Sequence, residues 1–221
     1  VRFDIDFFIK CTIKIMEKIP ITLFIGISSF ILSLILSCFM LFLINSKLKV
    51  LKILGRLYIS FFRSTPYITQ LFILYYGLPQ IIISLRGLSP LLVFIFSSAM
   101  NISAFNTEII RGGLLSVDKG QKEAAISIGM TKFQMYWEII IPQAFISIFP
   151  SLGNTLVGSI KNAAVAFTIG AVDILSQAKI SAAKGYNYME AYIAAGLVYW
   201  LLIVFIDKIQ KLQEKKVYKH L

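Results

Sequence analysis

Two sets of polar residues recur at helical spacing inside otherwise apolar sequence. Ser97, Asn101, Ala104, Glu108 and Arg111 are separated by four, three, four and three positions, which places them on one helical face. Ser147, Ser151, Asn154, Gly158 and Lys161 repeat that spacing. Neither set is catalytic. The one His, His220, sits in a basic tail, and Cys11 and Cys38 belong to no Cys-x-x-Cys or Cys/His cluster. A metal centre, a disulfide framework and an intramembrane catalytic dyad therefore have no residues to build on. What polar faces of this kind can do is line a path for a solute. A charged group inside a membrane is costly unless it is paired or faces a water-filled cavity. Glu108 and Arg111, three apart, can pair. Asn101, Glu108, Asn154 and Lys161 are the candidate lining of such a path. The alternatives are a polar contact between helices for the two faces, and for Lys161 a side chain that reaches to the membrane interface.

The elements that carry these faces must span a bilayer. The chain has 221 residues, 57% of them hydrophobic, and a mean hydropathy of +0.79. Soluble domains are about 45–50% apolar. A formal net charge of +11 would suggest nucleic acid in a soluble chain. Here the Lys and Arg collect between apolar runs, as in the cytoplasmic loops of membrane proteins.

Residues 1–18 mix Phe7, Phe8, Ile9, Ile13 and Ile15 with Lys10, Lys14, Glu17 and Lys18 and read as an amphipathic segment on the membrane surface. The run Ile19–Ile44 is too long for the apolar part of a signal peptide and is expected to stay as the first span. Ser29, Ser33 and Ser37 recur every fourth residue along it, with Gly26 near the same line. Such a small-residue face lets a neighbouring helix approach closely. The second span is expected over 57–78, kinked at Pro66, with the Thr65 hydroxyl as partner for the carbonyl that Pro66 leaves free. The third covers about 90–110 and ends at Gly112 and Gly113. The fourth begins near Pro142 and reaches Gly158 or beyond, and the fifth covers about 189–205. The basic connector 45–56, the segment 111–137 and the tail 208–221 carry most of the 22 Lys and Arg. They are expected in the cytoplasm, which puts the N-terminus outside and the C-terminus inside. Four basic residues that precede the first span run against this rule.

One polar stretch does not fit a bare pore. Asp118 is placed to cap a short helix over 119–128, Gly129 ends it, and an amphipathic run leads to Pro142. A structured polar segment between spans must sit in water, and it reads as a docking face for a soluble partner. At Glu123, Ala124, Ala125, Gly129, Ile139, Ile141 and Pro142 it resembles the coupling motif of ABC importer permeases, with Ile141 where the family usually has Leu. EIIRGGLLSVDKGQKEAA and FRSTP…LFILYYGLP resemble the polar amino acid subfamily. FTIGAVDILSQAKISAAKGYNYMEAYIAA is similar to the cystine-type members.

The resemblance covers about 20–205 and implies an all-α membrane protein of type I importer fold. It would have about five transmembrane helices, a permease domain over 19–207 and a coupling segment over 118–142. It implies residence in a bacterial cytoplasmic membrane, a second permease subunit, an extracytoplasmic binding protein, and cytoplasmic ATPase subunits docked on the coupling segment. ATP and Mg then belong to the ATPase, and this chain needs no cofactor of its own; no Gly-rich phosphate loop occurs in it. Where the subfamily commonly reads Lys-Asp/Asn-Thr-Ser-Leu, this chain has Lys161, Asn162, Ala163, Ala164 and Val165. Two hydroxyls are missing there, which fits a heterodimer whose other permease carries them.

Overall fold

The computed structural model describes residues 3–218, and within them the chain is helical with no strand. Lys219 and His220 of the tail lie outside the described residues. Four helical stretches are long and apolar enough to cross a membrane: Ile19–Ile44, Pro90–Ser116, Lys132–Ile169 and Tyr188–Val217. The span expected over 57–78 is present as helix but is broken in two.

α1 (Ile5–Met16) leads into α2 (Ile19–Ile44), with Pro20 in the first turn of α2. A connector leads to α3 (Lys49–Ser64), and the chain turns extended at Thr65 and Pro66. α4 (Tyr67–Phe72) passes through a π-helical turn, Ile73–Gly77, into the short α5 (Leu78–Ile81). α6 (Pro90–Ser116), α7 (Lys119–Ser127), α8 (Lys132–Gln134) and a second π turn, Met135–Ile140, follow. α9 (Ile141–Asn162) tightens into a 3-10 segment, Ala163–Ile169, before α10 (Ile174–Ala183) and α11 (Tyr188–Tyr218). Each π turn ends two residues before a proline, Pro79 or Pro142. A proline has no N–H to give to the preceding turn, and widening that turn lets the helix continue.

The centre is α2 packed between α6 and α9. Close approach explains the small residues of α2. Ser29, Ser33 and Ser37 are fully buried, and Ser33 Oγ accepts from Asn106 Nδ2 of α6 at 2.9 Å. At Gly26 the backbone carbonyl accepts from Ser159 Oγ of α9 at 2.9 Å. A Cβ at Gly26 would lie 2.7 Å from the Cα of Ile160. The expected α2 packing face is therefore present and takes up both neighbours.

Two boundaries move. α6 does not stop at Gly112 and Gly113 but runs on to Ser116. Gly113 is instead a point of close approach between α6 and α9, since a Cβ there would collide with Ile148 Cγ1. The fourth span starts ten residues before Pro142, at Lys132, because Thr131 and Gln134 form a reciprocal cap that satisfies the first free N–H groups.

The flank formed by α1, α10 and α11 also differs from expectation. α1 lays Cys11 and Ile15 against Ile174, Ala178 and Ala191, so part of its apolar face is covered by protein. The weakly apolar stretch over 170–187 contains the helix α10. Its N-cap, Asp173, is fully buried. It is satisfied by the Leu175 and Ser176 N–H groups and by the Tyr199 hydroxyl at 2.8 Å.

The α2–α9 contact makes a direct prediction. Gly26→Ala should lower the thermal midpoint of the purified protein in detergent, by about 1–3 kcal/mol of overpacking, and Gly26→Leu should lower it further. Gly196 faces open space, so Gly196→Ala should leave the midpoint unchanged or slightly raised. Equal midpoints for wild type and Gly26→Leu would show that α2 and α9 do not touch there.

Candidate functional site

The break at Thr65 and Pro66 sets the middle of the molecule. Without the proline, the N–H at this position would bond the carbonyl of Phe62, four residues back. That carbonyl instead accepts from Gln70 Nε2 at 3.1 Å and from Asn101 Nδ2 at 3.0 Å. Asn101 Nδ2 also donates to Gln70 Oε1 at 2.9 Å, and Gln70 Nε2 reaches Thr65 Oγ1 at 2.7 Å. The Thr65 hydroxyl, expected from the sequence to serve the Phe62 carbonyl, donates instead to Phe61 O. Thr65 sits one residue before the proline and reaches back four residues, so Phe61 falls within its range. Gln70 is four residues beyond Pro66, a helical turn ahead, and that spacing was the available signal for it.

The two polar faces come together. α6 and α9 run antiparallel, with Gly113 against Ile148 at one end and Phe94 near Ala163 and Ala166 at the other. Midway, Asn101, Phe105, Asn154 and Gly158 line one cleft of about 330 Å³. Asn101 is buried and committed to the Pro66 break, whereas Asn154 is exposed. Glu108 and Lys161 fall towards opposite ends of this face. Glu108 meets Arg111 at 2.6 Å, as the spacing predicts, and also Arg63 at 4.0 Å. Arg63 in turn lies 5.7 Å from the ring centre of Phe105, a cation–π distance. Lys161 is exposed and makes no ion pair among the described residues. The face therefore carries a clamped carboxylate at one end, amides in the middle and a free ammonium at the other end.

The polar segment after α6 is a separate surface. Asp118 caps α7 as expected, its Oδ1 accepting from Gly120 N at 2.7 Å. Gly129 has φ of +79°, a left-handed conformation that glycine adopts without strain. The end of the helix is closed by Gly129 N–H on Ile126 O and Met130 N–H on Ala125 O, both at 3.0 Å, the paired bonds of a Schellman turn. Glu123 and Ala124 are exposed, but Ala125 is not. It is 1% exposed and packs with Met135, Ile140, Ala144 and Ile148. The two alanines, expected to act together at a partner's surface, point to different sides, because successive helical positions differ by about 100°. Ile139 is half-buried beside the same cluster, and Ile141 and Pro142 remain exposed.

Residues 31–219 match the family of binding-protein-dependent transport system inner membrane components. A probable amino-acid permease, YxeN of Bacillus subtilis, is 39% identical over 98% of this chain and 96% of its own. The L-cystine transport system permease TcyL of the same organism is 32% identical over 99% of this chain and 93% of its own. Among solved structures, an amino acid ABC transporter with histidines superposes with a TM-score of 0.90 at 31% identity, over 98% of this chain and 100% of that one. An inward-facing MetNI methionine transporter shares the fold alone, with a TM-score of 0.70 at 17% identity over 92% of this chain and 95% of that one. With the helical fold and the short capped helix between its spans, the chain belongs to the family of binding-protein-dependent inner membrane transport components and is a permease subunit of amino acid ABC importer type, a transport subunit and not an enzyme.

Proposed function

We propose that this chain is one half of a membrane path that imports a polar amino acid. The solute is handed over by an extracytoplasmic binding protein, and import is driven by ATP and Mg handled on separate ATPase subunits docked on the segment from Glu123 to Pro142. The observation that carries the reading is α7. It is a short helix with Ala125 turned inward and with Glu123, Ala124 and Ile126 exposed. It is joined to the fourth span by a closed glycine turn. Glu123 near the helix start suits both the helix dipole and a basic partner residue.

A second permease subunit is part of the proposal. Arg63, Glu108, Asn154 and Lys161 are at least partly exposed, and hydrocarbon is a poor solvent for them. A second copy or a related chain facing them would enclose an aqueous path lined by Asn101, Glu108, Asn154 and Lys161. Cystine is the solute we favour. The stretch from Phe167 to Ala195 resembles cystine-type permeases, and an L-cystine permease is among the relatives. The N-terminus is placed outside and the tail in the cytoplasm.

For orientation, single cysteines at Ser116 and Lys216 of a variant lacking Cys11 and Cys38 should label only from the cytoplasmic side, and one at Ser84 only from outside. Labelling of Ser116 from outside would overturn the orientation. For the path, Asn154→Leu and Glu108→Leu should reduce uptake by roughly tenfold or more while the complex still assembles. Normal uptake by both variants would reduce the polar faces to packing.

For coupling, Gly129→Val forces a β-branched residue into a left-handed backbone, and Glu123→Lys reverses a charge at the helix start. Both variants should insert normally, yet lose solute-stimulated ATP hydrolysis in proteoliposomes that contain the ATPase and binding protein. Retention of that stimulation by both would remove Glu123–Pro142 as the docking segment. A panel of amino acids in the same assay identifies the solute, with cystine expected to stimulate most.

A further inference from the structure

A second cleft, of about 550 Å³, lies between the end of α2, α3 and the last turns of α6. Three cations line it: Lys52, Arg56 and Arg111. The one carboxylate there, Glu108, is held by Arg111 at 2.6 Å. Lys52 and Arg56 have no ion pair among the described residues. The cleft therefore keeps an excess of positive charge at the rim of a membrane-spanning bundle, and packing within this chain does not use it.

The sequence of α3 shows what kind of molecule such a cleft suits. At 100° per residue, Lys52, Arg56, Ser60 and Arg63 fall on one stripe. Gly55, Ile59 and Phe62 lie to one side of that stripe and are buried. Ile53, Leu57 and Phe61 lie to the other side and are 56%, 60% and 48% exposed. A cationic stripe thus borders an exposed apolar stripe along the length of the helix. A bound molecule that satisfies both has an anionic head and a hydrocarbon body, and basic pockets between spans take phosphate headgroups. An acidic peptide would neutralise the cleft but leave Leu57 and Phe61 uncovered. A hydrocarbon tail alone would leave Lys52 and Arg56 unpaired.

We propose that this cleft binds an anionic phospholipid, with its phosphodiester between Lys52 and Arg56 and an acyl chain along Ile53, Leu57 and Phe61. The cleft shares Glu108 and Arg111 with the polar face of α6, but Lys52 and Arg56, the residues assigned to the headgroup, lie on α3 and not on the α6 and α9 faces of the solute path. It does not depend on which amino acid is carried.

The test uses the purified permease in nanodiscs of equimolar phosphatidylglycerol and phosphatidylcholine with trace spin-labelled lipid of either kind. The motionally restricted fraction should be larger for phosphatidylglycerol than for phosphatidylcholine. Lys52→Gln and Arg56→Gln should each lower this preference by about fivefold, as expected for about 1 kcal/mol per basic residue near the membrane surface. The exchanged pair Lys52→Arg with Arg56→Lys should keep it. The single Gln variants are judged only if they elute as monodisperse, helical protein, and the charge-conserving pair carries the test if they do not.

Equal restriction of the two lipids overturns the proposal, as does a preference unchanged in both Gln variants. Loss of the preference in millimolar inorganic phosphate would assign the cleft to a free anion instead of a lipid. Disulfide formation between two copies carrying Arg56→Cys in a variant lacking Cys11 and Cys38 would show a second permease covering the cleft, and would equally overturn the lipid assignment.

Discussion

A span buried in hydrocarbon must satisfy its backbone polar groups from within the protein, and this constraint is sharpest at Pro66. The proline removes a donor and frees the Phe62 carbonyl. Gln70 and Asn101 both donate to that oxygen and bond each other. Asn101 lies on α6 and Gln70 on α4, so the repair of one helix break also fixes the position of two helices relative to a third. Bonds of this kind between membrane helices are worth about 0.6–2 kcal/mol each. Their larger effect here is geometric. They let α3 and α4 change direction inside the bundle without leaving an unpaired carbonyl.

The same economy governs the contact of α2 with α6 and α9. No hydrophobic driving force acts between helices already in lipid, so association rests on close packing and interhelical hydrogen bonds. Gly26 and Gly113 leave no room for a Cβ. Ser33 and Ser159 convert that proximity into bonds to Asn106 and to the Gly26 carbonyl. Polar residues here are structural at one turn and exposed at the next. Asn106 is fully buried against Ser33, whereas Glu108, two positions later, is partly exposed beside Arg63 and Arg111.

Periodicity made much of this legible in the sequence. The serine face of α2, the pairing of Glu108 with Arg111, the cap at Asp118 and the turn at Gly129 depend on spacing or on one residue's conformational range, and they lie where the sequence places them. What was not legible depended on partners distant in the chain. Gly112 and Gly113 look like a helix stop until Ile148 is seen beside Gly113. Thr65 looks like the partner of the Phe62 carbonyl until Asn101 arrives from another helix. Ala124 and Ala125 form one motif by letter, but a helix turns them to different sides. In each case local sequence specifies an ability, and tertiary contact decides its use.

The inward turn of Ala125 bears on how a soluble motor would act on this chain. Ala125 touches the cluster that contains Met135, Ile140, Ala144 and Ile148, and Ile148 is the residue that Gly113 leaves room for. From α7 to the α6–α9 contact there is thus an unbroken line of packed side chains, with a glycine at its end and little free space for slack. Packed interiors shift between discrete arrangements and do not deform smoothly. Under the docking proposed above, a displacement of α7 would therefore reach the α6–α9 pair as a relative movement of those two helices. They are the helices that carry Asn101 and Asn154 on the walls of one cleft. The π turn at Met135–Ile140 lies between α7 and that contact, and a wide turn of this kind is the part of a helix that can absorb a change of register.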